Sequence, residues 1–133
     1  MSQENVEIVK GIFTAWKDRD LQVAMKHIDP SVKFDFTNVS FLGQEADPDS
    51  GSAGLQTMIG SWLEAFGSLE WNPQTFIDEG DHVIVQLRVL ARGRESGAPI
   101  DRKVVVVYTL RDGLVVDFQG FDTLSDAAGS VGV

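Results

Sequence analysis

Val104-Val105-Val106-Val107-Tyr108-Thr109-Leu110-Arg111-Asp112-Gly113-Leu114-Val115-Val116-Asp117-Phe118 reads as two β-strands around a turn. β-Branched and aromatic residues dominate both arms, and such side chains pack well on a pleated surface. Asp112-Gly113 is the residue pair that supplies the positive φ angles of a tight hairpin. The four valines are apolar at both parities, so this strand needs cover on both faces of its sheet. Outward from it, extended runs at 69–77, 83–91, 100–110 and 114–121 are separated by Glu79-Gly80-Asp81, Ser96-Gly97-Ala98-Pro99 and Asp112-Gly113. Consecutive hairpins of this kind make an antiparallel meander.

The first half has a helical period. Val6, Val9, Ile12, Phe13 and Trp16 fall on one stripe, with Ser2 available as a cap and Glu4 and Glu7 in the first turn. Asp20 can cap a shorter helix through Leu21, Ala24, Met25 and Ile28, which Asp29-Pro30 should end. Residues 32–36 alternate apolar and charged, as a strand does. The segment 41–52, with Gly43, Asp47-Pro48, Asp49, Ser50 and Gly51, is expected as a mobile surface loop. A third helix carries Leu55, Met58, Ile59, Trp62 and Phe66, and Gly67 is placed to stop it. Helices first and a meander afterwards imply an α+β sandwich, with the helices on one face of a curved sheet. Residues 1–133 are read as one domain, with 123–133 as a C-terminal tail.

The 133-residue length suits one hydrophobic core, and the absence of Cys excludes disulfides, thiolate metal sites and cysteine nucleophiles. A net charge of -9 would repel a phosphate backbone, so no nucleic-acid partner is expected. Met1-Ser2-Gln3-Glu4-Asn5 lacks a basic and apolar leader, and no stretch has the length of a membrane span, which reads as a soluble, cytoplasmic protein. His27 and His82 read as surface residues. No HxxxH or HExxH spacing is present, and Asp47 and Asp49 lack the other ligands of a calcium loop, so neither a metal nor a cofactor is expected.

Several short tags add a resemblance. Asn5-Val6-Glu7-Ile8-Val9, Ala15-Trp16, Arg19-Asp20-Leu21, Asp29-Pro30-Ser31-Val32, Gly80-Asp81-His82-Val83, Arg94-Glu95-Ser96-Gly97, Tyr108-Thr109-Leu110-Arg111-Asp112-Gly113 and Gly120-Phe121-Asp122-Thr123 occur in an order that resembles the NTF2-like superfamily. Within it they resemble the SnoaL-like, ketosteroid-isomerase-like branch. That resemblance implies a cone-shaped half barrel, N-terminal helices packed on a curved mixed, mostly antiparallel sheet, and a deep pocket between the two layers. In ketosteroid isomerase a carboxylate moves a proton beside a carbonyl, while a tyrosine and a protonated aspartate donate to the oxyanion. Matched residue by residue, those positions fall on Phe36, Ile12 and Val106, all apolar. The arginine and aspartates of limonene epoxide hydrolase fall near Leu87, Val89 and Gly120, again without a titratable group.

The implied pocket residues are Ile12, Trp16, Phe36, Met58, Trp62, Leu87, Val106, Tyr108 and Phe118. Two of the candidates for chemistry are titratable. Tyr108 shares the parity of Val106, so its hydroxyl could orient a ligand, or it could simply pack. Asp35 lies on the polar parity of its strand and reads as solvated; a one-residue slip would turn it inward and make it a base. The expected function is the binding of a small hydrophobic molecule. The alternative is a polyketide cyclase, isomerase or dehydratase moving protons on a hydrophobic carbonyl compound. Val105 and Val107, beside Ile84 and Leu90, are expected to leave an exposed outer patch and so to make the chain a homodimer.

Overall fold

The computed structural model describes residues 2–37, 39, 47 and 49–132. In chain order the elements are α1 (Ser2–Lys17), α2 (Leu21–Met25), β1 (Ile28–Asp35), α3 (Gly51–Ala65), β2 (Phe66–Glu79), β3 (His82–Gly93), β4 (Pro99–Arg111), β5 (Leu114–Phe121) and α4 (Leu124–Ser130). The strands form one sheet in the order β1-β5-β4-β3-β2. β2 to β5 pair antiparallel, and β1 joins the edge of β5 in parallel. The sheet is mixed and open, with α1 to α3 on its inner face. At the β4–β5 turn Asp112 and Gly113 have φ of 53° and 81°, the handedness that matches the twist of the strands they join.

Alternation sorts the strands. Val83, Val85, Leu87 and Val89 of β3, Val104, Val106 and Tyr108 of β4, and Val115 and Phe118 of β5 are buried in the core with Val32 and Phe34 of β1. Gly120 is needed on this face because a Cβ there would lie 2.5 Å from Phe36 Cδ1 and 2.7 Å from Val39 Cγ2.

Three boundaries differ from the sequence reading. The second helix stops at Met25, and Ile28, Asp29 and Pro30 belong to β1. The backbone here pairs across the sheet instead of continuing a helix, since the Val115 amide donates to the His27 carbonyl at 2.8 Å. Pro30 is tolerated because β1 is an edge strand whose register shifts between Ile28 and Lys33. The third helix begins at Gly51 and ends at Ala65, so Phe66 and Gly67 open β2 and Gly67 stops nothing. Its last carbonyls are held instead by Arg94, whose Nε donates to Glu64 O at 2.9 Å and whose Nη2 donates to Leu63 O at 3.0 Å. A guanidinium there also suits the negative end of the helix dipole. Residues 41–46 and 48 of the expected mobile loop lie outside the described residues.

The outer face brings the largest correction. Ile84, Val105 and Val107 are not exposed; their relative exposures are 2%, 4% and 4%. Residues expected as a tail form α4 and pack on them, with Ala127 wholly buried among Ile84, Val105, Val107 and Phe121. Thr123 starts the helix by accepting a hydrogen bond from the Asp126 amide on its Oγ1 at 3.1 Å. The small residues of this segment let the backbone approach the valine row, which is why its composition reads as a tail yet closes a surface. The argument for a homodimer from an exposed valine patch therefore loses its premise.

Candidate functional site

The inner layer does not close flush on the sheet. Ile12, Phe13 and Trp16 of α1, Leu55, Ile59 and Trp62 of α3, and Phe36, Val106, Tyr108 and Phe118 from the sheet side surround a pocket of about 90 Å³. Leu21, Ala24 and Met25 of α2, with Ile28 and Trp71, complete it. Aromatic contacts tie its walls together. Phe36 meets Trp62 edge-on at 5.2 Å and Phe118 at 5.6 Å, Trp62 stacks on Trp71 at 5.6 Å, and Tyr108 stacks on Phe118 at 5.8 Å. Such pairs fix the rings relative to one another and keep bulky planar side chains from collapsing into the space.

Of the sequence-expected pocket residues, Ile12, Trp16, Phe36, Trp62, Val106, Tyr108 and Phe118 line this space. Met58 and Leu87 do not; both are buried in the packed core behind it. Ile12, Phe36 and Val106, the positions matched to the isomerase triad, all face the pocket. Trp71 was missed, although its parity with buried Leu69 in β2 was a usable signal.

Tyr108 is the one titratable side chain among the described residues lining the pocket. Only 8% of it is exposed, and burial pushes its phenol pKa above the ordinary value, so it is an un-ionised hydroxyl at neutral pH. Among the described residues nothing hydrogen-bonds that hydroxyl. It can donate to, or accept from, a molecule in the pocket, but it is a poor base. Asp35 lies elsewhere. It is half-buried between inward Phe34 and Phe36, and its Oδ1 accepts from the Thr37 amide at 2.9 Å and the Thr37 hydroxyl at 2.6 Å. Its electrostatic neighbour is Asp117, an outward residue of β5.

His82, Thr109, Asp117 and Lys33 are successive partners across β3, β4, β5 and β1. His82 Nδ1 lies 2.9 Å from Thr109 Oγ1, so this polar row sits on the outer face, away from the pocket. Burial is the main influence raising the Asp117 carboxyl pKa, with the Gln119 side-chain hydrogen bond and then Lys33 and His82 opposing it. Among the described residues no three His, Asp or Glu side chains converge to hold a metal ion, and no helix is long and apolar enough to cross a membrane.

Residues 9–118, which include both layers around the pocket, match the model of the SnoaL-like domain. The chain belongs to the SnoaL-like domain family. This SnoaL-like protein matches no curated protein. Among solved structures it is similar to an NTF2-like protein of unknown function from Burkholderia pseudomallei, at 18% identity, TM-score 0.79, and 98% coverage of each chain. A protein from Jannaschia sp. CCS1, provisionally described as a SnoaL-like polyketide cyclase, is 25% identical, with TM-score 0.76 over 95% of this chain and 90% of that one. A protein from Streptomyces galilaeus, provisionally described as a hydroxylase, is 20% identical, with TM-score 0.70 over 99% and 97%. One fold thus carries differently described proteins, so the fold alone does not set an activity.

Proposed function

We propose that this SnoaL-like protein binds a small, largely apolar molecule between its helical layer and the inner face of its sheet. The observation that carries the reading is the lining: aromatic and aliphatic walls around one un-ionised tyrosine hydroxyl. Affinity then comes from apolar area removed from water, about 25 cal/mol per Å². Tyr108 supplies orientation by hydrogen bonding to one polar atom of the ligand. Size limits the guest. About 90 Å³ is less than the roughly 150 Å³ void known to take up benzene, so even a one-ring guest enters only as the walls move outward.

A second reading, an enzyme moving protons on a hydrophobic carbonyl compound, is favoured by the likeness to the Jannaschia protein. Against it, the described lining offers no carboxylate or imidazole as a base, and Asp35 is turned to the other face. A multi-ring polyketide would also need a larger space.

The three tryptophans of the chain, Trp16, Trp62 and Trp71, all line the pocket, so intrinsic fluorescence reports its occupancy. Titration with toluene is expected to give a saturable change that is insensitive to salt and reduced in Val106→Trp, which fills the space. A linear, non-saturating response would refute the binding reading; steady turnover of a ketone would favour the enzyme.

A further inference from the structure

Phe13, Trp16 and Trp71 serve two spaces. One side of them lines the pocket, and another lines an open groove of about 840 Å³ between α1 and β2. The groove has a different chemistry. Lys10, Lys17 and Arg19 line it against a single carboxylate, Glu70. This is a reversal in a chain where 20 acidic residues face 11 basic ones. Lys10 has a long contact with Glu7, at 3.9 Å between largely exposed side chains, and its ammonium lies 5.4 Å from the Phe76 ring centroid, while Lys17 has no ion pair among the described residues. Two ammonium groups are thus available to an anion beside an apolar pocket.

Trp16 is the partition. Its indole Nε1 is buried with no hydrogen-bond partner, an arrangement that carries the full desolvation penalty of an N–H group. The ring is pinned from the groove side. The Arg19 guanidinium lies 5.0 Å from its centroid, and Arg19 Nη2 donates to the Leu69 carbonyl at 2.8 Å. Arg19 reaches this position with φ of 57°, a left-handed backbone that bulky residues adopt at a cost. Turning the indole toward the open groove would bring its N–H to water, and Trp16 lines both spaces that such a turn would join. The Arg19 guanidinium thus caps, from the groove side, a ring whose N–H is unmet in this position.

We propose that pocket and groove form one binding tract for a molecule with an apolar end and a single carboxylate end. This rests on the pocket reading above. The apolar end passes Trp16 into the pocket, and the carboxylate stays in the groove near Lys10 and Lys17. The pocket alone is smaller than a benzene-sized void, whereas pocket and groove joined offer room for a ring with a chain attached. A neutral molecule of the same shape gains the burial but not the attraction.

Phenylpropionate and phenylpropanol, matched in size, separate these contributions when titrated into the full chain by tryptophan fluorescence. The acid is expected to bind about five- to tenfold more tightly at low salt, and the difference should vanish near about 0.5 M salt, where the screening length is only a few ångströms. Lys10→Gln with Lys17→Gln should abolish the difference and leave the alcohol unchanged. Arg19→Gly, which suits the left-handed backbone, should speed association of both. Equal affinities for acid and alcohol, or an advantage that survives both salt and the lysine changes, would overturn the tract while leaving the pocket intact. An unchanged association rate in Arg19→Gly would overturn the role of Trp16. Binding of neither probe would overturn the pocket reading itself.

Discussion

The two faces of β4 carry nearly the same side chains and meet different fates. Val104, Val106 and Tyr108 look inward and Val105 and Val107 look outward, and all five are buried. On the inner side the cover is large: Phe13 and Trp62 meet other rings edge-on or stacked, Trp16 lies under the Arg19 guanidinium, and a gap is left between them. On the outer side the cover is a short helix led by Ala127, which sits directly on the valines. Bulky planar residues span a space; small residues close one. The difference separates a face suited to a guest from a face that is only packed.

Four changes test that contrast, in falling order of effect. Trp62→Ala removes a large buried ring from the inner cover and is expected to cost about 3–5 kcal/mol, read by urea unfolding. Gly120→Ala overfills the inner face against Phe36 and Val39 and should cost about 1–3 kcal/mol, with weaker toluene binding as Phe36 is displaced. Ending the chain after Asp122 removes α4 and uncovers Ile84, Val105 and Val107, at roughly 1–2 kcal/mol. Light scattering should then show self-association of the shortened chain; a clean monomer would mean that α4 shields nothing of consequence.

Asp117→Asn should have the smallest effect. Burial raises the folded pKa of Asp117 above its ordinary value, so the folded state binds more protons in the window between the two. Its contribution to stability accordingly increases as pH falls through the folded pKa and diminishes as pH rises. The neutral amide should give a slightly higher Tm at pH 7 and no gain below the ordinary carboxylate range. A gain that persists in strong acid would point to packing and not to charge.

Much of the architecture was legible because it rests on local rules. Asp112-Gly113 announces its turn, and the alternation around Val104–Leu110 sorts the two faces. What was not legible depends on distant partners. Gly67 looks like a helix stop, but the carbonyls it would have served are held by Arg94, thirty residues away in sequence. Residues 123–133 look like a tail because an amphipathic signal needs large apolar side chains, and α4 packs through Ala127. Within the site, parity placed Tyr108 and Val106 in the pocket and Asp35 outside it. Met58 and Leu87 have the same inward character as their neighbours and differ only in depth, which no periodicity encodes. The void itself comes from the mutual geometry of rings on five elements.

Isothermal titration of the full chain with toluene at several temperatures tests the central claim most directly. The account predicts one saturable site per chain, a negative heat-capacity change from apolar burial, and loss of that signal in Val106→Trp. Heats that do not saturate, or binding that survives when the pocket is filled, would contradict it.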